Sequence, residues 1–122
     1  MKLTHITLSV KDLEKSVQFY RDIIGLPIRR RFVSGESEIV FLGDGETMIE
    51  LIYNSNNADV AFDVSVSLGF QVESLSDTIT FLGKNGVAVG DVIQPNPNVK
   101  FAFTKDPNGL SVQFVEQTEY KS

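Results

Sequence analysis

The chain has 122 residues, of which 42% are hydrophobic and 22% charged, a composition that suits one soluble domain with a sizeable core. Its formal net charge of −5 repels phosphate backbones, which argues against nucleic acid as a partner. It holds no cysteine, which removes disulfides, thiolate metal sites and a cysteine nucleophile.

Strand-like alternation comes first. Ile6, Leu8 and Val10 share one face, and His5, Thr7 and Ser9 share the other. Asp12 stands where a helix cap belongs, and Leu13, Val17, Tyr20 and Ile24 then recur at helical spacing. Gly25 ends that helix, with Pro27 just beyond it. Residues 29–33 (RRRFV), 37–43 (SEIVFLG) and 47–53 (TMIELIY) read as three strands, the last two joined at Asp44-Gly45. The three arginines read first as a solvated strand edge and second as an anion site, with Arg30 facing oppositely to Arg29 and Arg31. Residues 54–61 begin NSNNAD, carry no period and read as a linker.

After the linker the pattern restarts. Residues 64–72 (VSVSLGFQV) alternate as a strand, and Ser74 or Ser76 is placed to cap a helix carrying Leu75, Ile79 and Leu82. That helix ends at Asn85-Gly86. Strands are expected around 87–93 (VAVGDVI), 99–105 (VKFAFTK) and 110–116 (LSVQFVE), and 94–100 (QPNPNVK) reads as a loop. Asp106, Pro107, Asn108 and Gly109 form a tight turn without chemistry of their own.

TLSVKDLEKSVQFY and GFQVESLSDTITFL superpose at a constant shift of 62, capped helix on capped helix and Phe19 on Phe81. The chain therefore reads as two βαβββ modules, residues 1–53 and 62–118, in one α+β domain. In each module the helix covers the apolar strand face, so the opposite face is a second surface. His5 and Thr7 lie on it, and Glu50 joins them because Ile49 and Leu51 pack the other way. The shift of 62 makes Ser67 the counterpart of His5, and on the equivalent last strand, where Val112 and Phe114 pack inward, Gln113 takes the outward place of Glu50. Phe32, Phe41, Phe62, Phe101 and Phe103 are candidate lining residues, although aromatic residues at strand spacing also build cores.

The segments HITLSVKDLEKSVQFYRDIIGLPI, MIELI and DPNGLSVQFVE, in that order and on that repeat, resemble the vicinal oxygen chelate superfamily, which holds glyoxalases, bleomycin-resistance proteins and extradiol dioxygenases. The resemblance covers essentially the whole chain. It implies curved sheets that form a cup-like cavity, a small organic ligand inside it, often a divalent metal such as Ni, Zn, Mn or Fe, and a homodimer. It also implies metal ligands at His5 and Glu50, while the remaining histidine and carboxylate of the pattern fall on Ser67 and Gln113.

Those departures bear on chemistry. A tight transition-metal site uses three or four imidazole, thiolate or carboxylate donors. Here His5, Glu50 and Gln113 are the possible ligands, and the Gln113 amide brings no charge. Glu50 is the possible catalytic base, because an amide at 113 does not take a proton at neutral pH. The first expectation is a metal-free binding protein with His5, Thr7, Glu50, Ser67 and Gln113 in its cavity. The second is a divalent-metal lyase or isomerase resembling glyoxalase I. His5 is also readable as a plain hydrogen-bonded strand residue. The start of the chain lacks a signal-peptide pattern and no apolar run approaches membrane length, so a cytoplasmic location without a membrane partner is expected.

Overall fold

The computed structural model describes residues 1–57 and 66–117. The chain divides into two compact units, Met1–Ala61 and Phe62–Ser122. Among the described residues each contains one four-stranded sheet and one α-helix, the βαβββ order expected from the repeat.

In the first unit β1 (His5–Ser9) is followed by α1 (Leu13–Gln18), β2 (Ile28–Ser34), β3 (Ser37–Leu42) and β4 (Met48–Tyr53). The sheet order is β1-β4-β3-β2, with β1 parallel to β4 and the other pairs antiparallel. Asp12 caps α1 as expected, its side chain accepting a hydrogen bond from the Lys15 backbone N–H. The helix then widens into a π-helical turn at Phe19–Ile23, which the 3.6-residue pattern does not announce. There the Ile24 N–H donates to the Phe19 carbonyl, and the Leu26 N–H reaches back to Tyr20. Gly25 takes the positive φ of 94° that lets the chain leave the helix. Tyr20 is fully buried, as are Val10, Val17, Val40, Leu42 and Leu51, which are among the most enclosed side chains of the unit.

In the second unit β5 (Ser67–Gln71), α2 (Leu75–Lys84), β6 (Ile93–Asn96), β7 (Val99–Lys105) and β8 (Ser111–Gln117) give the order β5-β8-β7-β6. The pairing repeats that of the first unit, with β5 parallel to β8. Ser74, not Ser76, is the cap, accepting from the Asp77 N–H. Leu75 and Leu82 bury the inner face of α2. Leu82 occupies the place of Tyr20 in the repeat and is as deeply buried, whereas Phe81, the counterpart of buried Phe19, is exposed.

Two expectations are corrected here. Residues 87–92 are not a strand; β6 begins at Ile93. It runs through part of the segment read as a loop, whose turn shrinks to residues 97–98. Pro95 is tolerated because β6 is the terminal strand of its sheet, and its pairing with β7 shifts register between Ile93 and Asn96. A missing N–H costs nothing where no ladder bond is made.

The linker expected at 54–61 begins at Asn54, followed by a 3-10 turn at Ser55–Asn57, and its remaining residues lie outside the described residues. So do Phe62, the first two residues of the strand read at 64–72, and residue 118. No helix among the described residues is long and apolar enough to cross a membrane.

Candidate functional site

Strand pairing sets the geometry of the first sheet's polar face. Thr7 pairs with Glu50, Glu50 with Phe41, and Phe41 with Arg30, so these four residues form one row across β1, β4, β3 and β2. Paired residues project to the same side of a sheet. His5 precedes Thr7 by two positions and shares that side.

The contacts follow from this register. The Thr7 hydroxyl donates to Glu50 Oε1 at 2.5 Å. His5 Nε2 lies 3.7 Å from the same carboxylate oxygen, and His5 Nδ1 is 3.3 Å from the Thr4 hydroxyl. Only 13% of the Glu50 side chain is accessible, against 41% for His5. A carboxylate that enclosed is costly without partners, and the Thr7 hydroxyl and the His5 ring are placed to supply them. The His5 ring also meets Phe41 edge-on, with centroids 5.5 Å apart. The structure thus brings His5, Thr7 and Glu50 into one cluster.

The chain's alternation did not disclose the rest of that face. The strand pairing slips between Ile28 and Arg30, turning Arg30 onto the side of Phe41 and Glu50. Its guanidinium stands 4.4 Å from the centroid of Phe41 and 5.7 Å from that of Phe32. The two rings are nearly parallel, 6.3 Å apart. Arg31 points the other way and forms an ion pair with Glu14 of α1, which holds the Glu14 carboxyl below its ordinary range. The expected opposition of Arg30 and Arg31 is therefore present, but Arg30 rests on aromatic rings and not only in solvent.

The second sheet carries the corresponding residues. Gly69 pairs with Gln113, and Gln113 with Phe103, repeating the Thr7–Glu50–Phe41 row with different chemistry. Ser67 lies one row away, paired with Ser111. Gly69 leaves open the place of the Thr7 side chain, and the Gln113 amide oxygen lies 3.5 Å from where a Cβ would stand. Phe101 and Phe103 meet edge-on, 5.8 Å apart. A neutral amide over a bare glycine thus replaces a carboxylate held by a hydroxyl.

The donor set bears on metal binding. Among the described residues no group of three His, Cys, Asp or Glu is placed to hold a metal ion. His5 and Glu50 offer one imidazole and one carboxylate, fewer than the three or four donors of a tight transition-metal site. These residues do not fit such a site by themselves.

Comparison with known proteins adds the following. The family model for the glyoxalase/bleomycin resistance protein/dioxygenase superfamily matches residues 2–114. A probable lactoylglutathione lyase of Synechocystis is 30% identical, the match covering 99% of each chain. Among solved structures, the trypanothione-dependent glyoxalase I of Leishmania major superposes with a TM-score of 0.82 at 24% identity, covering 95% of this chain and 86% of that one. An antibiotic-binding protein of a Streptomyces species superposes with a TM-score of 0.79 at 18% identity, covering 96% of both. At those identities the two structures speak for the fold alone.

Proposed function

The chain belongs to the glyoxalase/bleomycin resistance protein/dioxygenase superfamily, and from that premise we propose that it binds a small organic ligand without a catalytic metal. The observation that carries this reading is the replacement of charge by neutrality in the repeat. Glu50 is engaged by Thr7, whereas its counterpart Gln113 is an amide beside Gly69. One carboxylate and one imidazole suffice to orient a polar group of a ligand, and the rings of Phe32 and Phe41 offer an apolar wall. On this reading His5, Thr7 and Glu50 contact the ligand in the first unit, and Ser67 and Gln113 do so in the second. On this reading the protein works as a homodimer in the cytoplasm, with module one at residues 1–53 and module two at residues 62–118.

The competing reading is a divalent-metal-dependent lyase or isomerase of the lactoylglutathione lyase type, with Glu50 as base and His5, Glu50 and Gln113 as ligands. It draws on the 3.7 Å approach of His5 to Glu50 and on the likeness to the Synechocystis protein. Elemental analysis of untagged protein purified without chelators separates the two. Substoichiometric Ni, Zn, Mn and Fe, with a melting temperature raised by members of a hydrophobic compound panel, supports the binding protein. Stoichiometric metal that disappears in His5→Ala overturns it.

A further inference from the structure

We propose that the polar face of the first sheet selects an aromatic carboxylate, with Arg30 as the residue that binds the carboxylate group. The inference rests on the ligand-binding reading above and names the chemical class of the ligand.

Arg30 differs from Arg21 and Arg31 in resting on aromatic rings and not on a carboxylate. Arg21 is matched by Asp22 through two hydrogen bonds, and Arg31 is matched by Glu14. Among the described residues no carboxylate lies within ion-pair distance of Arg30; its guanidinium instead stands over the Phe41 and Phe32 rings. A ring against the face of a guanidinium leaves the in-plane N–H groups free at its edge. That edge matches the two oxygens of a carboxylate, which accept parallel hydrogen bonds from it. Phe32 is 40% exposed beside it and offers a flat apolar surface to a ligand ring. Stacking also restrains the long side chain before any ligand arrives, which lowers the ordering cost of binding.

The row supplies polarity as well. Two strand spacings, about 10 Å, separate the backbones of Arg30 and Glu50, with Phe41 between them. The face therefore presents a cation, an aromatic ring and a carboxylate in that order. A ligand whose carboxylate meets Arg30 places its far end toward Glu50 and His5, where a hydroxyl or amine donor is accepted by the Glu50 carboxylate. A ligand with the reverse polarity meets like charge at both ends.

Titration calorimetry with naphthoate and its neutral isostere naphthamide tests this on the full chain. Wild type is expected to prefer naphthoate by roughly 10- to 100-fold, the usual gain from a charge-assisted pair. Arg30→Met keeps the length and apolar stem of the side chain, and is expected to bring the preference to about 3-fold or less while naphthamide affinity holds. Arg30→Lys restores part of the preference, because it returns the charge without the fork. Equal binding of the two compounds to wild type, or a preference that survives Arg30→Met, overturns the inference and leaves the ligand-binding reading standing. Failure of every compound in the hydrophobic panel to bind removes the ligand-binding reading, and this inference with it.

Discussion

Replacing Thr7 by valine removes one hydroxyl and keeps the shape of the side chain, so it isolates the bond that holds Glu50. At 2.5 Å that bond has the length of a charge-assisted O–H···O⁻ contact. Hydrogen bonds to charged groups contribute about 1.5–3 kcal/mol. Water reaches Thr7, and part of the Glu50 side chain stays accessible, which lowers the expectation to about 1–2 kcal/mol. His5 competes for the same oxygen from 3.7 Å with 41% of its side chain exposed, and a half-solvated contact of that length, charged or not, contributes less than about 1 kcal/mol. The hydroxyl should therefore dominate. In urea unfolding near neutral pH, Thr7→Val is expected to lose about 1–2 kcal/mol, or roughly 4–8 °C in Tm for a chain of this size. Double-mutant cycles with Glu50→Met separate the two partners, because His5 variants also lose the contact with Phe41. Coupling between Thr7 and Glu50 should exceed coupling between His5 and Glu50. A larger His5 coupling would refute the reasoning and make the imidazole the principal partner of the carboxylate.

Other consequences are open to measurement. Leu51 is fully buried on β4 between Leu8 and Val40, so Leu51→Ala should cost about 2–5 kcal/mol in denaturant unfolding. Asp106 is buried, and its Oδ1 accepts from the Asn108 and Leu110 backbone N–H groups; Asp106→Ala strands both donors and should cost about 2–4 kcal/mol, with Asp106→Asn milder by calorimetry. The hydrogen bond from Arg31 holds the Glu14 carboxyl below its ordinary value. A depressed carboxyl stabilises the fold above the ordinary carboxylate range, and that contribution disappears as pH falls through the lowered value. Carbonyl-carbon NMR titration should show Glu14 ionising at higher pH in Arg31→Met, and an unchanged midpoint would refute the pairing.

Much of the architecture could be read locally. Asp12 and Ser74 are caps whose side chains have one short-range task, and the alternation on β1, β4, β7 and β8 follows from a period of two. That Glu50 shares a face with His5 and Thr7 was accessible too, since inward Ile49 and Leu51 force Glu50 outward, but the sequence pointed to His5 as its partner and the Thr7 hydroxyl makes the shorter contact. Three features were not legible. The π-helical turn at Phe19–Ile23 adds a residue to one turn, which a regular helical period does not encode. The strand β6 hid behind Pro95, because proline signals a loop unless the strand is known to end a sheet. The aromatic neighbours of Arg30 were hidden because alternation gives a face and not a neighbour; Phe41 reaches it through pairing between separate strands.

The place of β1 has a consequence for motion. Among the described residues it ends its sheet, and its ladder is shared with β4 alone. Both His5 and Thr7 ride on it. Peeling this strand away bares Leu8 and disperses the carboxylate's partners in one event, while the β2–β3–β4 meander keeps its own ladders. Amide protons of β1 should accordingly exchange with solvent through a local opening cheaper than global unfolding. A guest that grips this strand would act as a latch, and its arrival would be read as slowed deuterium uptake there before any change in the meander.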